Sequence, residues 1–170
     1  MQFAKDSFFL ALQQRLASLN PQRTVTINGA TIPGILVVEN LPLSSADRVP
    51  DVFYVEWGAA KSESDGVVLG IECLITYYTL GTVPSMVDRG RALGEMDSEL
   101  LAMCQPSNAE KRNYSQSPST DLGTRVFWSE PALEDASGKG VENEQGRHWD
   151  GRAERKARLT VFFFAEARLS

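Results

Sequence analysis

Between Gly66 and Leu80 the side chains alternate. Val67, Leu69, Ile71, Cys73, Ile75 and Tyr77 occupy every second position, which in an extended chain places all six on one face. A helix does not sustain a period of two, so this run commits the chain to a β-sheet. Its thirteen residues, VVLGIECLITYYT, span about 43 Å at about 3.3 Å each, roughly twice a usual strand. The excess predicts that part of the strand projects beyond the sheet, or that it bulges near Gly70. The wider stretch GVVLGIECLITYYTLGTVPSMV carries one charge, Glu72, and is long enough to suggest a membrane span. Its Gly, Pro and Thr content and its period of two assign it to a strand instead, and the chain reads as soluble.

The closing stretch ARLTVFFFAEARLS makes a second demand. In a strand, Leu159, Val161 and Phe163 share one face, while Thr160, Phe162 and Phe164 share the other. A strand with one wet face has no use for two phenylalanines there. Either the protein's own helices or another molecule must cover them, which makes Phe162 and Phe164 candidate contact residues.

The remaining elements are shorter. Phe9, Leu12, Leu16 and Leu19 form one apolar stripe, so residues 6–19 read as a helix, capped by Asp6 or Ser7 and ended by Asn20-Pro21. Asn28-Gly29 between two β-branched runs predicts a tight hairpin. Pro33-Gly34 then breaks the chain before Ile35–Val38. In DVFYVEWG, Phe53, Val55 and Trp57 alternate with Val52, Tyr54 and Glu56, and the polar GAAKSESDG joins this strand to the long one. A second helix is expected from about Met86 to Cys104, with Ser85 and Asp88 as a capping pair. Leu93, Met96, Leu100 and Met103 form its buried stripe. Gly90 and Gly94, one turn apart, either admit a close neighbour or weaken an exposed helix.

From Gln105 the composition turns polar and aperiodic. Residues 105–151 read as an extended arm inserted before the final strand, with one short strand, TRVFWS, inside it. Loops of that length are disordered or ordered by a partner. The embedded Phe127, Trp128 and Trp149 favour a partner, and Trp128 and Trp149 join the candidate contact residues. The whole chain, 1–170, is then a single α+β domain. Its mainly antiparallel twisted sheet has an N-terminal and a central helix packed on one face. At 42% hydrophobic residues it can build a core without disulfides or metals.

Charge narrows the partners. With 17 Lys+Arg against 22 Asp+Glu, the net charge of −5 argues against broad binding to a nucleic-acid backbone. Arg147, Arg152, Arg155, Lys156 and Arg158 nevertheless crowd together before the last strand. They read as a patch for an acidic neighbour or for passing DNA, or as a solvated turn that keeps a strand edge soluble. Arg152 and Arg155 are the candidate contacts there.

Motifs that carry chemistry are missing. The one histidine, His148 in GRHWDGR, reads as an exposed loop residue, and its neighbour Asp150 does not make a dyad of it. No nucleophile elbow, phosphate loop, dinucleotide fingerprint or zinc motif occurs. Cys73 and Cys104 show neither metal-ligand nor disulfide spacing, and Cys73 reads as a buried thiol. The start, MQFAKDSFFLALQQRL, lacks the apolar run and cleavage site of a targeting segment. No catalytic, cofactor or metal residue is assigned, and the chain is expected not to be an enzyme.

The order of elements is an amphipathic helix, a hairpin, a longer hairpin, a helix opening DRGRALGEMDSELL, a variable arm and a final strand. Over about residues 6–104 and 155–168 this resembles the tail terminator (tail completion) proteins of tailed bacteriophages and related neck proteins. The resemblance implies a virion structural protein that assembles in the host cytoplasm into a homo-oligomeric ring, commonly a hexamer. Such a ring caps the tail tube, docks the neck or connector protein, and leaves a passage for DNA without reading its sequence. It implies no cofactor and no membrane partner. It would place a neighbouring subunit or the tube against Phe162 and Phe164. A small-molecule or peptide binding domain, with those two residues lining a cleft in the sheet face, is the alternative.

Overall fold

The computed structural model describes residues 1–41, 48–63, 66–82, 88–135, 141–143, 146–148 and 153–165. Helix α1 (Gln2–Leu19) opens the chain and buries Ala4, Ser7, Phe8, Leu12 and Leu16. It starts a turn earlier than the capping signal suggests, because Ala4 packs into the core. Asp6 and Ser7 therefore lie inside the helix. Asp6 accepts a hydrogen bond from Gln2 Nε2 at 2.8 Å, and the Ser7 hydroxyl donates to the Phe3 carbonyl at 2.6 Å. The buried stripe is also displaced by one position: Phe8 rather than Phe9 is fully inside, and Leu19 is half exposed. Asn20 takes an extended conformation, as Pro21 after it requires.

Strands β1 (Thr24–Ile27) and β2 (Ala30–Pro33) form the expected hairpin. Asn28 and Gly29 sit at φ +49° and +80°, the two left-handed positions of the tightest hairpin turn. Strand β3 (Ile35–Val37) pairs in parallel with β4 (Phe53–Glu63), the one parallel contact among the described residues of the main sheet. Strands β4 and β5 (Val68–Thr79) are antiparallel, with a register shift between Trp57 and Ala60. The irregularity is thus on β4 rather than near Gly70. Gly58 makes room there for Glu72, whose Cβ would lie 3.1 Å from a Cβ on Gly58.

Helix α2 (Arg89–Met103) buries Leu93, Met96, Leu100 and Met103, as its periodicity predicts. Ser85 lies outside the described residues. Asp88 precedes the helix without capping it; its carboxylate instead accepts from the Thr82 amide (2.7 Å) and hydroxyl. Neither Gly90 nor Gly94 would bring an added Cβ within 4 Å of any described residue, so no described neighbour uses the close approach they permit.

The region 105–151 is richer in strands than its composition suggests. Strands β6 (Asn108–Asn113) and β7 (Thr120–Trp128) pair antiparallel with each other and join the main sheet. They are followed by β8 (Ala132–Asp135) and by a separate small hairpin of β9 (Val141–Asn143) and β10 (Gly146–His148). The alternation of β6 is hidden because its inward positions are Ala109 and Lys111. Lys111 is almost wholly buried, with its ammonium 5.4 Å from the centre of the Phe163 ring and donating to the Phe164 carbonyl. A lysine stem fills a core position, so a hydropathy pattern misses the strand.

Strand β11 (Ala153–Phe164) closes the chain at the centre of the sheet, whose order is β3-β4-β5-β11-β7-β6. It pairs with β5 from end to end, Ala153 opposite Thr79 and Phe164 opposite Val68, so the long strand does not project. Along its other edge lie β7 and then β8. Both helices cover one face. The core between helices and sheet takes Phe53 and Val55, then Ile71, Cys73, Ile75 and Tyr77, and finally Leu159, Val161 and Phe163. The architecture is the α+β arrangement expected, with both helices on the same side of a mostly antiparallel sheet.

Candidate functional site

The face of the sheet turned away from the helices is covered unevenly. Over β3 and β4 the β1–β2 hairpin folds down, and Val25, Leu36, Val52 and Tyr54 form a second apolar cluster. Beside it, residues 48–50 are strapped to the sheet. The Val49 amide donates to the Tyr54 hydroxyl at 2.7 Å, and the Tyr78 hydroxyl donates to the Arg48 carbonyl. The Arg48 guanidinium bonds Glu56 and Thr76 and lies 5.1 Å from the centre of the Tyr54 ring. Burial raises the Tyr54 hydroxyl above its ordinary pKa.

Over β11 and β7 no described element covers the same face. Register places Phe127 opposite Phe162, Phe162 opposite Gly70, and Gly70 opposite Lys61, in one row across four strands. The Phe162 ring leans over Gly70; a Cβ there would meet Phe162 Cε1 at 3.4 Å and Thr160 Cγ2 at 3.2 Å. This contact half-buries Phe162. Phe127 and Phe164 keep 43% and 44% of their surface exposed, which is unusual for phenylalanine.

Between the strap and this aromatic row runs a groove of about 520 Å³, lined among others by Glu56, Glu72, Leu74, Glu130, Arg158 and Thr160. Several of its charges are paired within the chain, Glu56 with Arg48 among them. Lys61 pairs with Glu72 at 2.9 Å and holds that carboxyl below its usual range, and Arg158 pairs with Glu134 at 3.0 Å.

The expected contact residues separate into three groups. Phe162 and Phe164 lie on the open face. Trp128 does not: Val161 opposite Trp128 puts it on the core side, 4% exposed, against Phe8 at 5.1 Å between ring centres. Its indole N–H donates to the Cys104 carbonyl at 2.8 Å. The outward aromatic is its neighbour Phe127. Composition singles out both residues, but only the pairing with β11 decides which one faces out. Arg155 is also taken up internally. It forks onto Asp97 of α2 at 3.0 and 3.2 Å, approaches Asp135 at 3.7 Å, and Asp97 accepts a further bond from the Tyr77 hydroxyl at 2.6 Å. The acidic neighbour that Arg155 and Arg158 meet is therefore their own chain, α2 and β8. Trp149 and Arg152 lie outside the described residues.

Cys73 and Cys104 are buried free thiols, and burial pushes Cys104 up to about 12. His148 sits in β10, opposite Val141. Among the described residues no group of three or more His, Cys, Asp or Glu could hold a metal ion, and no helix is long and apolar enough to cross a membrane. No protein-family model matches the chain, and no curated protein matches it.

Proposed function

We propose that the chain is a structural subunit that associates with copies of itself through the open part of its sheet, in the manner of a phage tail terminator or neck ring. The observation that carries this reading is the aromatic row of Phe127 and Phe162 with Phe164 beside it. It stands on a sheet whose helices cover only the opposite face. Apolar patches of this kind on a folded domain mark contact surfaces. The helix-on-one-face architecture agrees with the family resemblance, which supplies the rest of the proposal: a ring, commonly hexameric, that caps a tail tube, docks a neck or connector protein and lets DNA pass. Its place is the virion, reached by assembly in the host cytoplasm. The reading assigns the chain no reaction and no cofactor.

Light scattering over a wide concentration range tests the association, with negative-stain microscopy for ring shape. Self-association that is lost in Phe127→Asp and Phe164→Asp chains of unchanged melting temperature supports the proposal. A strict monomer at every concentration, with no association on adding tail tube, overturns it. The groove favours a second reading, a small-molecule or peptide site. Phe162 and Phe164 do not line that groove, so a ligand whose binding survives both aspartate substitutions would select this reading instead.

A further inference from the structure

Strand β8 is held differently from every other strand of the sheet. All four of its residues are exposed, so it contributes nothing to either apolar cluster. It continues the line of β7 along β11 after a break at Ser129–Pro131. Trp128 pairs with Val161 and Ala132 with Arg158, which leaves one residue too many between them on the β7–β8 side. The Ser129 hydroxyl bridges the break by accepting from the Thr160 amide at 2.9 Å. What holds β8 beyond it is backbone pairing and charge. Arg155 opposes Asp135 and Lys156 opposes Glu134, while Arg158 reaches Glu134. Exposed pairs of this kind add little stability, and an element without buried apolar contacts opens before the rest of a domain. Beneath it lies the edge of the central strand at its most basic stretch, Arg155–Arg158.

We infer that β8 is an exchangeable strand, and that in the assembled state the edge of β11 at 155–158 is covered by β8 of a second copy. This rests on the reading that copies of the chain associate. The occupant is specified by complementarity. Arg155 is already held by Asp97, so the edge offers mainly Lys156 and Arg158 to an extended segment with acidic residues at the Glu134 and Asp135 positions, and A-L-E-D of another copy supplies them in the same register as the chain's own strand. Exchange keeps the β8–β11 register and changes only which chain supplies β8; the strand leaves its own sheet at the break at Ser129–Pro131 and is tied back to its own β11 by the chain that follows Asp135. Where subunits are already brought together through the aromatic row, the cost of association is met and the exchanged form tightens the contact.

The test uses two full-length chains with tags of different length, one carrying Ala132→Cys and the other Arg158→Cys. Both positions are exposed, and as directly opposed residues of an antiparallel pair they lie within reach of a disulfide. Cys73 and Cys104 are buried and do not compete. The chains are mixed at an associating concentration, oxidised, and run on a non-reducing gel. A mixed disulfide between the two tags, absent when Arg158→Cys is replaced by Ser62→Cys, is the expected result. Association by light scattering without that product overturns the exchange while leaving the proposed function standing. Loss of association altogether overturns both. Glu134→Cys with Lys156→Cys repeats the test in the same register if Arg158→Cys fails to fold.

Discussion

Phe163 and Phe164 are adjacent, chemically identical and on the same strand, so substituting each with alanine isolates what the sheet's two faces are worth. Phe163 is 1% exposed and packs in the main core with the Lys111 ammonium against its ring. Removing it takes away the transfer term and leaves a cavity, about 3–5 kcal/mol for a buried Phe→Ala change. It also deprives the buried Lys111 of its aromatic partner. Phe164 keeps 44% of its surface in water, and burying a whole phenylalanine is worth about 1.5–3 kcal/mol, so its loss costs about 1 kcal/mol. At about 2 kcal/mol per molar urea, the midpoints should fall by about 2 M for Phe163→Ala and about 0.5 M for Phe164→Ala. Since domains are stable by only about 5–15 kcal/mol, the first variant should lose a large share of its stability. Trp57 and Trp128 both lie edge-on to Phe8, so tryptophan fluorescence in dilute protein follows the core directly. Equal shifts for the two variants would refute the assignment of faces, and with it the argument for an open aromatic row.

Other perturbations probe the frame that presents this face. Gly81 sits at φ +77°, and a Cβ there would lie 2.6 Å from Asp88 Oδ1. Gly81→Ala should therefore cost about 2 kcal/mol and lower the melting temperature by about 4–8 °C, as calorimetry will report. Arg15 donates to the carbonyls of Met103, Pro106 and Asn108 at 3.1, 2.7 and 2.8 Å and lies 5.3 Å from the centre of the Trp128 ring. Arg15→Ala should cost about 3 kcal/mol, and Arg15→Lys should recover less than half of it, because a single ammonium cannot replace the planar fork. Burial holds the Cys104 thiol protonated up to about 12, against an ordinary value of 9.0. Between those values the unfolded chain binds fewer protons than the folded one, so stability present below pH 9 is lost as pH rises. The expected slope is about 1.4 kcal/mol per pH unit per buried thiol. Urea titrations of Cys104→Ala between pH 8 and 10.5 should show a shallower decline than the parent; an identical slope would remove the thiol from the account.

Much of the frame is legible in local pattern. The in-phase run from Ile71 to Tyr77, the stripe Leu93–Met96–Leu100–Met103 and the Asn28-Gly29 turn each appear where periodicity and turn chemistry put them. These signals are local because alternation and helical spacing follow from backbone geometry alone. The misreadings share a cause. Trp128 against Phe127, Phe8 against Phe9, and the strand of Asn108–Asn113 all depend on which neighbour a residue meets. That neighbour is distant in sequence: Val161 for Trp128, Trp57 for Phe8, Phe163 for Lys111.

The stretch LTVFFFAEA shows the division most clearly. Its period by itself determines that Leu159, Val161 and Phe163 belong together and that Phe162 and Phe164 oppose them, because side chains on a strand alternate whatever surrounds it. Only the tertiary structure decides that β11 runs at the sheet's centre, and that both helices lie on the Phe163 side. It also decides that Phe127 joins Phe162 on the other side, while the nearby basic residues Arg155 and Arg158 are matched by Asp97, Asp135 and Glu134 of the same chain. Those outcomes rest on register between strands far apart in the chain, and register is settled by the summed fit of two whole faces rather than by any one residue.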